Sequence, residues 1–403
     1  MARTYADPNA ISNDWRTRQP GFTIWILIAI PRVLLLILFY AICFIPRSLR
    51  QHPQWTYRQA FMSWVIKFAF HVVTELGYSQ SLNLKAGNLG DKWVVINPIK
   101  SADDEYYGPF RDVSVKPERI GGTWYPDAPS KTLDGDSLVV LSFHSGSFLW
   151  ITGRPYDSGV TADLVNRKLG PNTHSLWIQY RLAGGRAPTT YPGAMQDAIT
   201  AYSYLINDLK LSPHRIVLVG DSSGATMAVA LLRYLAIINH NGDTGAQNQF
   251  RASAPPRACL LFSPSTEYTV EGDAHAMSKH RNASTDLCEG KMAAWGTSAF
   301  APPYKARLDD PYLSPTLHPF STPVPIFIQA GGAEVMVDSI RGFADMMRQA
   351  GNGVEYLETP NVPHDIYGGG HVAGWKKEQE DVVEAAVVFV RNNDSMRALS
   401  PVV

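Results

Sequence analysis

The strongest constraint on this chain lies between Ile216 and Leu232, where it reads IVLVGDSSGATMAVALL. An apolar, β-branched run ends in Gly220-Asp221-Ser222-Ser223-Gly224, and small and apolar residues at helical spacing follow at once. A strand that turns this sharply into a helix presses the positions around its apex against neighbouring backbone. Gly220 and Gly224, two before and two after Ser222, have no side chain to clash. In that register Ser222 is the central residue of the turn. Ser223 is the first helical residue, and its amide has no intrahelical acceptor. A G-x-S-x-G pattern by itself is weak, since chance gives about 0.1 match in a chain of this length. The alternative is a glycine-rich phosphate turn, but the lysine of the P-loop pattern is missing.

The surroundings supply the context. From about residue 92, short apolar runs alternate with helical stretches. Strands are expected over 93–99, 120–126, 137–144, 175–182, 215–220, 258–264, 324–332 and 354–360. Helices are expected over 191–209, from Ser223, around 336–350 and around 375–392. Strands apolar on both faces and alternating with helices indicate a mostly parallel sheet covered on both sides. Such α/β sheets place their sites at the carboxyl ends of the strands. The stretch from about 265 to 320 breaks the alternation and reads as a helical cap insertion. Of the 403 residues 45% are hydrophobic, enough for a sizeable core, and Lys plus Arg equals Asp plus Glu at 36 each. That balance, with no polybasic tract, argues against a nucleic-acid partner. Three cysteines cannot form a disulfide framework, and Cys43 and Cys259 read as core residues. At most Cys259 and Cys288 would pair. No cofactor and no metal are expected.

A serine hydroxyl needs a base held by an acid, and in a fold of this kind the order is nucleophile, acid, base. Two downstream strand ends offer partners. After PIFIQAGG comes Glu334, with Asp338 one helical turn further on. After VEYLETPNVP come His364 and Asp365. Glu334 sits at the loop position an orienting acid needs. Asp338 is the alternative acid and otherwise complements the first turn of the next helix. His364 is the expected base, and His371, in GGGHVAG, reads as a loop residue. The early turn SFHSGSFLW (142–150) offers the amides of Gly146 and Ser147, with Ser223, as an oxyanion hole.

At the other end, residues 23–45 read TIWILIAIPRVLLLILFYAICFI, interrupted only by Pro31 and Arg32. At ~1.5 Å per residue this covers roughly 35 Å, enough to span a bilayer with tilt. Arg32 costs about 3 kcal/mol, while about fifteen apolar residues return roughly 0.45 each, so insertion is favoured. A cleaved signal fits poorly, because no small-residue cleavage pattern follows Ile45. Residues 1–22 are then a tail, 23–45 a membrane anchor, 46–91 amphipathic or cap helices, and 92–403 the α/β body. Pro31 must kink the anchor, or the segment is monotopic. The aromatic stretch 54–78 is a second interfacial helix or a lid over an apolar site. Asn282-Ala283-Ser284 and Asn393-Asp394-Ser395 fit the glycosylation pattern, relevant only in a lumenal body.

Over roughly residues 92–392 these motifs together resemble the hormone-sensitive-lipase-like family of α/β-hydrolases, including its arylacetamide deacetylase and steryl acetyl hydrolase branch. FHSGSF stands where the family has His-Gly-Gly-Gly. YRLAGG, GDSSGA, DDPYLSP, GGAEVMVD and VPHDIY match its other landmarks in order. The resemblance implies an α/β-hydrolase fold and a membrane-associated carboxylic ester hydrolase acting on a lipophilic ester. It implies a Ser222–His364–Glu334 triad and a membrane location, single-pass or monotopic, with the endoplasmic reticulum as the expected compartment. It makes His144 a structural loop residue. A non-hydrolytic enzyme acting on a polyketide-like intermediate is the alternative, and a receptor use of the fold would need a lost base. The chain departs from the family at Ser145 and Ser147, whose side chains narrow the pocket, at Glu334 where Asp is commoner, and at Asp365 where Gly is commoner.

Overall fold

A computed structural model describes residues 15, 19–99, 106–112, 114–129, 137–184, 188–240 and 255–399. Eight strands form one sheet: β1 Trp93–Ile96, β2 Ile120–Tyr125, β3 Leu138–Phe143, β4 Thr173–Gln179, β5 Ile216–Asp221, β6 Ala258–Phe262, β7 Ile326–Gly331 and β8 Val354–Thr359. Their order is β1-β2-β4-β3-β5-β6-β7-β8. β2 pairs antiparallel with β1 and β4, and every later pairing is parallel. The helices are α1 Gly21–Cys43, α2 Tyr57–Glu75, α3 Pro155–Leu169, α4 Gly193–Ser203, α5 Ser223–His240, α6 Tyr268–Glu271, α7 Ala274–Lys279, α8 Gly290–Phe300, α9 Val337–Gln349, α10 Ile366–Ala373 and α11 Lys376–Leu399.

The period-2 alternation of a strand divides the core in two. Leu218, Cys259, Leu261, Ile326 and Ile328 pack on one face, with α4, α5 and α9. Val217, Val219, Leu260, Phe262 and Phe327 pack on the other, with α3, α10 and α11. In α9 the buried residues Val337, Ile340, Phe343, Ala344 and Met347 recur at helical spacing, so one stripe meets the sheet. The expected 265–320 insertion contains α6, α7 and α8. α2 starts at a capping box, with the Thr56 hydroxyl accepting from the Gln59 amide and the Gln59 side chain accepting from the Thr56 amide.

Several expectations are corrected. β1 stops at Ile96, where its pairing with Ile120 ends. β4 runs Thr173–Gln179 rather than 175–182, because its last partner is Gly121. The 191–209 helix is α-helical only to Ser203 and finishes as a π-turn, with the Leu209 amide donating to Tyr204 O. His371 is not in a loop: it lies in α10, whose three consecutive glycines hide its helical character from propensity. Cys43 is not a core residue, since it is only half-buried and α1 buries none of its residues. Cys259 and Cys288 are both buried and both free. α1 runs 23 residues through Pro31 and is long and apolar enough to cross a membrane.

Candidate active site

The turn after β5 puts Ser222 in the left-handed region, φ 51°. Side chains pay for that conformation, so the surrounding contacts must impose it. A Cβ on Gly224 would meet Phe143 O at 2.1 Å, and one on Gly220 would meet Gly224 O at 2.5 Å. The turn closes only with glycine at both places. The Ser222 amide donates to Phe262 O at 2.9 Å, which fixes the apex against β6. Ser223 opens α5.

His364 follows β8 and is buried. Its Nε2 lies 2.9 Å from Ser222 Oγ, and its Nδ1 lies 2.6 Å from Glu334 Oε2. The second Glu334 oxygen accepts from the Gly331 amide at 2.6 Å, and Glu334 is fully buried. Burial lowers the imidazole's proton affinity, but the Glu334 hydrogen bond and charge, with Asp286 and Asp365 beyond, outweigh it and raise His364 to about 9. Burial likewise raises the Glu334 carboxyl, against the pull of His364 and the Gly331 amide. Ser222, His364 and Glu334 are therefore brought together. Asp338 is not among them. It lies in the first turn of α9, exposed and paired with Arg281, His280 and Arg341, and the Arg281 and His280 hydrogen bonds and charges hold its carboxyl well below the usual carboxylate range.

After β3 the backbone of Ser147 and Phe148 is also left-handed, at φ 52° and 59°. Gly146 and Ser147 line the cavity beside Ser222. His144 holds this turn from below. Its Nδ1–H donates to Ser145 O at 2.8 Å, its ring stacks on Tyr180, and the Tyr180 hydroxyl donates to His144 O at 2.8 Å. Burial pushes the imidazole down to about 4, so it is neutral at working pH.

One positioning residue escapes sequence reasoning. Asp286, buried in the cap insertion, accepts from the His364 amide at 3.0 Å and the Val335 amide at 2.6 Å. It spans the loops that carry His364 and Glu334. Beside it, Asn282 Nδ2 donates to Gly332 O and Glu334 O, and the Thr285 hydroxyl donates to Ala333 O. The signal available was slight: a polar cluster, NASTD, inside an insertion with no regular pattern.

Two cavities meet at Ser222. The larger, about 280 Å³, includes His364 and is walled by Ile66, Phe70, Trp150, Leu287 and Met292. The smaller, about 20 Å³, excludes His364 and is bounded by Ser147, Phe148, Ser223, Tyr268 and Met336. The 54–78 segment thus contributes α2 as a wall of the larger cavity.

The family model described as alpha/beta hydrolase fold matches residues 140–368, more than half of the chain. The chain is an α/β-hydrolase. This hydrolase is 28% identical over 284 residues to an acetyl-hydrolase of Streptomyces hygroscopicus, covering 67% of this chain and 82% of the relative. It is 25% identical over 267 residues to versiconal hemiacetal acetate esterase of Aspergillus parasiticus, covering 65% and 74%. An esterase from the bacterial hormone-sensitive lipase family shares the hydrolase's fold with a TM-score of 0.53 and 19% identity, over 90% of this chain and 98% of that one.

Proposed function

We propose that this α/β-hydrolase cleaves acetyl esters of bulky lipophilic alcohols, with Ser222 as nucleophile, His364 as base and then acid, and Glu334 holding the imidazolium. Ser222 Oγ attacks the acyl carbon as its proton passes to His364 Nε2. The Gly146, Ser147 and Ser223 amides receive the developing oxyanion. His364 returns the proton to the leaving alcohol, and water then repeats the sequence on the acetyl-enzyme.

The observation that carries the substrate class is the inequality of the two cavities. The leaving oxygen must lie next to His364, so the alcohol occupies the larger, apolar cavity. The acyl group takes the other side, where ~20 Å³ holds little more than one small group. The relatives named as an acetyl-hydrolase and an acetate esterase support the same class. p-Nitrophenyl acetate, butyrate and octanoate test it. kcat/KM should fall by about 10-fold or more from acetate to butyrate, as an overfilled pocket predicts, and Met336→Ala should narrow that ratio. A preference for octanoate, or undiminished turnover by Ser222→Ala, refutes the reading.

We further infer that α1 anchors the enzyme in a membrane. Its residues are unburied, and it meets α2 through Tyr40 and Trp64, ring centroids 4.4 Å apart. α2 carries Tyr57, Phe61, Trp64 and Phe68 in successive ring contacts along one side, a face suited to the membrane interface.

A further inference from the structure

Two departures of this chain from its family's pattern, Ser145 and Asp365, meet in space at Asp221. Each of the three residues adjoins a residue of the proposed chemistry: Ser145 precedes Gly146, Asp221 precedes Ser222, and Asp365 follows His364. The Asp221 and Asp365 carboxyls interact with one another and with Ser145, and all three residues line one wall of the larger cavity. Their convergence is also visible from Gly368, where a Cβ would lie 3.1 Å from Asp221 Oδ2 and 3.2 Å from each Asp365 carboxyl oxygen.

Two buried carboxylates that face one another repel when both are ionised, and a shared proton removes that repulsion. The burial argument agrees. Asp221 is 2% exposed, and its Oδ1 is buried without a partner, so a full charge there would be unsolvated. The remaining neighbours are few. The Ser145 backbone lowers the Asp221 carboxyl, and the Gly368 amide donates to Asp365 Oδ1 at 3.1 Å. The Tyr367 phenol on α10 is buried close by, and Tyr180 faces Asp221. His364 supplies the positive charge that favours ionisation of Asp365. Asp365 itself sits at φ 55° and caps α10, and its amide donates to the Ser263 hydroxyl at 3.0 Å.

We propose that Asp365 and Asp221 share one proton, and that this hydrogen bond, with Ser145, positions the base loop against the nucleophile turn and the oxyanion turn. Asp365 is thus a positioning residue that acts through His364. Burial and mutual repulsion raise both carboxyls above the ordinary range, and the shared proton leaves as pH rises. Its loss puts two negative charges at the junction of three loops.

The test rests on the ester-hydrolase reading and uses the full chain. kcat and KM for p-nitrophenyl acetate are followed between about pH 6 and pH 11 for wild type, Asp365→Asn and Asp365→Ala. Asn keeps the pair's single negative charge and donates an amide hydrogen in place of the proton. Wild type should show an alkaline fall in kcat, and Asp365→Asn should retain kcat at neutral pH and lose that fall. Asp365→Ala should lower kcat by about 10- to 100-fold with little change in KM, as a displaced catalytic group does. An alkaline fall in Asp365→Asn identical to wild type, or full kcat in Asp365→Ala, overturns the proposal. Should the Ala variant not fold, the Asn comparison alone decides. Wild type that neither hydrolyses the ester nor labels at Ser222 with a fluorophosphonate overturns the parent reading instead.

Discussion

At the residue scale, the two acids after β7 make opposite predictions. Glu334 reaches His364 and is fully buried, whereas Asp338 lies among exposed arginines. Glu334→Gln should cost roughly 10⁴ in kcat, the scale of losing an orienting carboxylate. Asp338→Asn should leave kcat within about 2-fold and change stability by at most about 1 kcal/mol, as for exposed ion pairs. Steady-state kinetics and urea denaturation check both. The His364 imidazole must be neutral to accept the serine proton, and Glu334 holds its pKa above the ~6.5 of free histidine. Activity should therefore rise with pH through a limb that lies above ~6.5, and a limb below it contradicts this geometry. Glu334 and His364 were legible because each follows a recognisable strand, the apolar run of β7 and the Val-Glu-Tyr-Leu run of β8. Asp286 was not, because a residue that binds two distant backbone amides leaves no local pattern.

At the element scale, legibility followed hydrophobic periodicity. Strands β3, β5, β6 and β7 could be read because both their faces are buried and their apolar runs are nearly continuous. α10 could not, because its glycines answer to packing rather than propensity: Gly370 lies against Gln379 and Trp375. The cap segment 282–288 was legible only as an irregular insertion, yet it ties the Glu334 and His364 loops together. Asp286→Ala leaves its amide donors unpaired, at about 1–3 kcal/mol for each buried group. A loss of about 3 kcal/mol in urea denaturation is expected, with kcat reduced more than KM changes. The same segment bears on the Asn282 triplet. Its side-chain nitrogen is already committed to Gly332 O and Glu334 O, so a sugar there would cost the acid loop a donor.

At the scale of the whole molecule, the apolar N-terminal helix and the α/β body are joined where Phe44 and Trp55 enter the core. Trp55 Nε1 also donates to Asn361 O, just ahead of the His364 loop. Removing residues 1–42 keeps both aromatics. Such a chain should stay active on soluble p-nitrophenyl acetate and no longer sediment with membranes, as flotation would show. Retention on membranes would place the attachment elsewhere.

The unequal cavities also set an order in time. In the proposed reaction the acyl group takes the smaller cavity, the alcohol leaves by the larger one, and the next molecule arrives through that same larger cavity. Water and a second alcohol then compete for one acetyl-enzyme at one face of His364. Added lipophilic alcohol should divert part of the acetyl flux into a new ester, in proportion to how well it fills the cavity the first product left.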